Sequence, residues 1–196
     1  MSVKVLSIHV PKKYQGGALP YGPVDNNGLR RATEDFELRF VCNVDGVVGS
    51  LIFGARAGMG YNGASNRLGW PIKMYYDIAE KDSLGTVHDI GYAHGGEVEG
   101  LSRKLAAGEV DDVLRGGMRC TGFSRFEAGV VDRAVRIPLV HALHFGKKRD
   151  KERMHYNSSI RWVPGYIDEP EDSADLADQA GNGSEWTLEE IMKREG

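Results

Sequence analysis

Apolar and polar residues alternate over the first ten positions, with Val3, Val5 and the Ile8/Val10 pair separated by polar neighbours, which predicts a strand. Turn formers then crowd residues 11–31 (Gly16-Gly17, Pro20, Gly22-Pro23, Asn26-Asn27-Gly28) and predict a loop. Phe36, Leu38, Phe40 and Cys42 alternate cleanly, Asp45-Gly46 supplies a turn, and Val47 to Phe53 returns, the pattern of a β-hairpin. Residues 55–70 are glycine-rich and read as another loop.

Helical periodicity follows. Asp77 with Glu80 three residues later forms a capping-box pattern, and Gly95-Gly96 ends the helix it opens. Leu84, His88 and Tyr92 lie four apart and share one face, while Asp89 points about 100° away. A second helix from about Glu109 places Asp111, Leu114 and Met118 on one face. Packed antiparallel, the two helices bring His88 to an aspartate. Ser124-x-x-Glu127 is a capping box for a third helix, with Phe126, Val130, Val131, Ala134 and Val135 as its apolar face. Pro138 kinks or ends it, and residues 139–145 continue apolar. Residues 156–167 read as one more strand or an extended wrap, anchored by Ile160, Trp162 and Tyr166.

Composition changes this picture at the C-terminus. The chain has 196 residues and a net charge of −3, which conceals a split. From Asp168 onward ten acidic residues face only Lys193 and Arg194, a segment of −8, leaving +5 before it. Residues 168–185 have the acidic, apolar-poor composition of disorder; Trp186, Leu188, Ile191 and Met192 then form a short amphipathic patch suited to docking or a weak terminal helix. The expectation is an α+β fold, a single domain over 1–167 with an acidic tail over 168–196. The start of the chain is too polar for a signal peptide, and no window approaches the ~20 apolar residues of a membrane span. Synthesis in the cytoplasm is expected, with Cys42 and Cys120 as buried thiols and at most one disulfide.

The candidate chemistry centres on His88-Asp89-x-Gly91-Tyr92 followed by Asp111-x-x-Leu114. A histidine activates water when a carboxylate fixes its tautomer and stabilises the imidazolium. Asp111 is the expected partner; Asp112 is the fallback, since helix phase read from sequence carries an error of a residue or two. The motif resembles the phospholipases A2, secreted and viral, and the glycine variant is closer to their bacterial and fungal branch. Upstream, Tyr61-Asn62-Gly63-Ala64-Ser65-Asn66 and Leu68-Gly69-Trp70-Pro71 resemble the calcium loop of the parvoviral enzymes, and Asp82 falls where those enzymes carry an aspartate. The likeness spans residues 61–118.

The resemblance implies a phospholipase A2-like core of antiparallel helices with the N-terminal β-hairpin region packed on it, and calcium-dependent hydrolysis of phospholipid acyl esters. It implies His88 as base, Asp111 as its partner, and Tyr92 bracing that aspartate. Calcium would be held by the Asp89 carboxylate and the carbonyls of Tyr61, Gly63 and Ser65; Ala64-Ser65 replaces the Pro-Gly of the viral loop. The scarcity of cysteine suits the parvoviral style rather than the disulfide-dense secreted one. A phospholipid surface is the expected partner, with delivery by a virion or as an effector. The alternative is a non-enzymatic virion or phage-associated protein that keeps the fold, since phage families also carry H-D-x-x-Y helices with a later aspartate; the acidic tail could then serve an assembly partner.

Other signals carry less. Gly58-x-Gly60-x-x-Gly63 lacks the strand-turn-helix context of a dinucleotide site, with Pro71 where the helix should run. His141 and His144 sit in an apolar stretch and read as core packing, and His94 as a complement to a helix C-terminus. The basic run 147–153 reads as solvated surface, and nucleic acid is not an expected partner.

Overall fold

The computed structural model describes residues 2–26, 29–61, 79–136, 138, 142, 144–146 and 157–165. Strands β1 (Val3–His9), β3 (Phe36–Val44), β4 (Val47–Ala55) and β6 (Ser158–Pro164) form one antiparallel sheet in the order β1-β3-β4-β6. Strands β2 (Arg30–Arg31) and β5 (Gly60–Tyr61) form a separate two-stranded ribbon. Three helices follow, α1 (Ala79–Ala93), α2 (Ala107–Cys120) and α3 (Arg125–Val135). The chain is therefore mixed α+β. Among the described residues no helix is long and apolar enough to cross a membrane.

The alternation in Phe36–Val44 and its partner works as the period-2 rule requires. Leu38, Phe40 and Cys42 point to one face, opposite Phe53, Leu51 and Gly49, and the first five of these are in the core. Asp45 and Gly46 both have positive φ, which matches the twist of a two-residue hairpin turn. The segment around residue 160 forms an edge strand rather than an irregular wrap, with Ile160 and Trp162 buried against the same core; Tyr166 lies outside the described residues. The ribbon of β2 and β5 falls within two stretches expected to be loops. Two-residue strands are too short to leave a periodic trace in the sequence.

Helix α2 lies directly on the sheet. At Gly116 a Cβ would come within 2.9 Å of Val5 Cβ, and at Gly117 within 2.6 Å of Leu84 Cδ2 and 3.1 Å of Phe40 Cε1. The paired glycines thus let strand, helix and neighbouring helix meet in one place. The contacts Leu84 with Gly117, His88 with Asp111 and Gly91 with Val110 run in opposite directions along the two helices, so α1 and α2 are antiparallel.

Two expectations about burial are corrected. Phe126 is 79% exposed and Val130 is exposed, whereas Ala128 is buried and Val131 and Val135 pack partly on the core. Phe126 and Val135 lie about 180° apart on a helix, so the expected apolar face combined two opposite sides of α3. Its ion pairs to α2 (Asp132 with Arg115, Arg136 with Asp112) turn the small-residue side inward. Cys42 is buried as expected, but Cys120, the last residue of α2, is exposed beside a bulge in β1 and lies 3.6 Å from the Leu6 carbonyl. Asp77, His141, the basic run and the acidic tail lie outside the described residues; His144 is half-buried.

Candidate functional site

The close approach of α1 to α2 depends on Gly91. A Cβ there would sit 2.6 Å from Val110 Cγ1, well inside van der Waals contact. With no side chain at Gly91, Val110 presses against the α1 backbone, and the next residue, Asp111, is delivered to the His88 side. Glu109 fixes the start of α2 by accepting from the Ala106 N–H at 2.8 Å, and the Arg103 guanidinium grips its carboxylate through both oxygens at 2.7 Å. Burial works against that carboxylate's charge, but the bonds from Arg103 and the Ala106 amide prevail and lower its pKa.

His88 Nε2 lies 3.1 Å from Asp111 Oδ1, and the Tyr92 hydroxyl donates to the same oxygen at 2.8 Å. The Asp111 side chain is wholly buried. An ionised carboxylate only accepts, so this contact places the ring proton on Nε2 and leaves Nδ1 with the lone pair. Asp89 Oδ1 is 3.7 Å from Nδ1, beyond a hydrogen bond, and the ring retains that edge for another partner. The rings of His88 and Tyr92 stack at 4.2 Å, and Phe145 meets the far edge of Tyr92 at 5.3 Å. Three of the four expectations carried by α1 and α2 meet in one cluster: His88, Asp111 and Tyr92. The fourth, Asp89, stands beside it, partly exposed.

The electrostatics suit a base held ready. Burial is the largest influence on His88 and opposes the charged ring; the carboxylates of Asp111 and Asp89 outweigh it and raise its pKa above the ordinary value. Tyr92 is pushed up strongly, first by burial and then by its bond to Asp111, so its phenol stays protonated as a donor.

Asp112, the fallback partner, faces elsewhere. It accepts from Arg136 Nη2, which also donates to the Gly108 carbonyl at 3.2 Å, while Arg136 Nε donates to Asp132 at 2.6 Å. It is partly exposed and tied to Arg136 at the end of α3, not to His88. His94 donates to or accepts from Ser158 Oγ at 3.0 Å, linking the end of α1 to β6.

Of the expected calcium ligands, Gly63 and Ser65 lie outside the described residues. Tyr61, at the end of β5, is nearly fully buried. Its ring packs on Tyr21 at 4.9 Å, and the Tyr21 hydroxyl bonds Thr86 Oγ1 of α1 at 3.0 Å. Thr86 and Asp89 are three apart on α1 and so lie on neighbouring positions of one face. Arg30, the register partner of Tyr61, reaches the buried Asp82 carboxylate at 3.0 Å and lies over the Tyr21 ring. Tyr21, Arg30 and Thr86 were not among the expected site residues. They bind the start of the candidate loop to the helix that carries His88 and Asp89, and no local motif marks them, because the partners are 52 and 65 residues apart.

A carboxylate with backbone carbonyls is the donor chemistry a hard cation takes; of the expected set only Asp89 and Tyr61 lie among the described residues, where no group of three or more His, Cys, Asp or Glu side chains that could hold a metal is found. No protein-family model, curated protein or solved structure matches this chain.

Proposed function

We propose that this protein hydrolyses phospholipid acyl esters, with His88 and Asp111 as the dyad and calcium as the cofactor. The observation that carries this reading is the trio in which one oxygen of the buried Asp111 carboxylate takes both the His88 ring and the Tyr92 hydroxyl. Nδ1 of His88 removes a proton from water as its oxygen attacks the ester carbonyl. The imidazolium that forms is stabilised by Asp111, whose geometry Tyr92 holds. The proton then passes from His88 to the departing alcohol oxygen as the tetrahedral species collapses, releasing a fatty acid and a lysophospholipid. Asp89, with the carbonyls of Tyr61, Gly63 and Ser65, would hold calcium, which supplies positive charge for the developing oxyanion.

The reading is tested on the full-length protein with mixed phospholipid vesicles and millimolar calcium. Fatty acid release in wild type, lost in His88→Asn and on chelation, is the expected result. A calcium-dependent rise in melting temperature that disappears in Asp89→Ala is expected alongside it. Intact folding with neither release nor a calcium response overturns the hydrolase and favours a non-enzymatic virion-associated role.

A further inference from the structure

The helices occupy one face of the four-stranded sheet, and its opposite face has an unusual burial pattern. Register places Arg39 opposite Ile52, and Val41 opposite Ser50, on that second face. Val41 is only 4% exposed and Ile52 only 6%, yet neither belongs to the core cluster beneath the helices. Arg39 and Ser50 are buried as well. Around this centre the face is open to water: Lys4, beside Asn43, and Arg161, beside Ile52, are exposed. A buried centre within an exposed rim is the footprint of a covering segment. Lys4, Arg39 and Ser50 are all engaged in interactions beyond those described above.

We propose that the acidic C-terminal segment, residues 166–196, docks across this outer face of the sheet. Three features select it. The face carries net positive charge, with Lys4, Arg39 and Arg161, the last paired to Glu37 of the same face, around an apolar centre, and the segment carries −8 with its own apolar group of Trp186, Leu188, Ile191 and Met192. It departs from β6, an edge strand of this same sheet, so it begins beside the face it covers. The 21 residues from Gly165 to Trp186 span up to ~70 Å when extended, ample for a domain whose radius of gyration is ~15 Å. The other two long stretches fit poorly. Residues 147–153 are basic and would meet like charge. Residues 62–78 join Tyr61 to α1, both on the helix side of the sheet. The tail therefore forms a third layer, held by apolar contact at its end and by charge along its length.

Two measurements on the full chain decide this. Amide hydrogen exchange should be slower over residues 186–192 than in a free peptide of the same sequence, by about tenfold or more. Val163→Glu, on the half-buried edge of the face, should abolish that protection while α1 and α2 keep theirs. Zero-length carbodiimide coupling should join Lys4 to an aspartate or glutamate of 168–195 within monomers. Free-peptide exchange rates in the wild type overturn the proposal. So does coupling confined to dimers, which would place the tail on a second copy, and so does coupling of Lys4 only to acidic residues outside the tail.

Discussion

Two neighbouring residues of α2 show how differently its two sides are built. Asp111 is wholly buried and shares one oxygen between His88 and Tyr92, whereas the Asp112 side chain is 37% exposed and meets Arg136. The first side meets α1 through a glycine contact that admits no extra atom; the second meets α3 through ion pairs that flexible side chains can re-form. Desolvation makes the first interaction strong and unforgiving, since a buried carboxylate that loses a partner keeps the full cost of burial. Solvent screens the second. A site that must hold a base in one orientation belongs on the first side, and that is where His88 is found.

The largest effects should follow from disabling that side. His88→Asn and Asp111→Asn should each lower phospholipid hydrolysis by roughly 10³–10⁴-fold, the scale seen when a tautomer-fixing carboxylate is lost. Hydrolysis in either variant within tenfold of wild type would remove the dyad from the mechanism. Gly91→Ala tests the same contact from the backbone. The added methyl collides with Val110 and should cost about 1–3 kcal/mol, or roughly 2–12 °C in melting temperature for a chain of this size. Gly91→Ala should also lower hydrolysis by displacing Asp111 from His88, and the double variant Gly91→Ala/Val110→Ala, which reopens that space, should recover part of both losses. If the two changes are additive, the close contact is not what sets the dyad distance.

Much of this site could be read from the sequence because its parts are local. His88, Tyr92 and Leu84 share a face by helical spacing alone, and Asp111 follows from the same arithmetic on α2. The hairpin was equally legible, since Asp45-Gly46 marks its turn and alternation marks its faces. What stayed hidden depends on distant partners. The Arg30–Asp82 pair and the Tyr21–Thr86 bond join segments with no common periodicity. The third helix was misjudged for a related reason: its apolar residues lie on two sides, and only the Asp132 and Arg136 contacts with α2 determine which side faces in. The role of Gly91 was legible in principle, as a glycine inside a helix needs a packing reason, but its partner Val110 is not a neighbour in sequence.

Tyr92→Phe sharpens the comparison at smaller amplitude. It keeps the ring against His88 and Phe145 but removes a donor to a buried carboxylate, at a cost of about 1–3 kcal/mol. Hydrolysis should fall by about tenfold to a hundredfold, less than for Asp111→Asn, because His88 still holds its partner. Acid pH probes the start of α2 instead. The Glu109 pKa is depressed below its ordinary 4.5, so its charged form stabilises the fold above about pH 4.5. That contribution is lost as pH falls through the lower folded pKa. Melting temperature should therefore drop more steeply below pH 4.5 in wild type than in Glu109→Gln. Parallel curves would mean that Arg103 and Ala106 do not favour the carboxylate.

The smallest effect belongs to Asp112, and its smallness is the informative outcome. Asp112→Asn leaves Arg136 its bonds to Asp132 and the Gly108 carbonyl, so α3 keeps its attachment to α2. Burial raises the Asp112 pKa despite the neighbouring Arg136, a sign that desolvation outweighs what the guanidinium returns to its charged form. Exposed pairs of this kind contribute about 0–1 kcal/mol, and an amide of nearly the same shape can still accept from Arg136. Stability should change by less than about 1 kcal/mol, and hydrolysis should stay within a few-fold of wild type. A loss comparable to that of Asp111→Asn would mean that Arg136 acts on the dyad through Asp112. The two sides of α2 would then be one coupled unit, and the contrast between a desolvated site and a screened support would not hold.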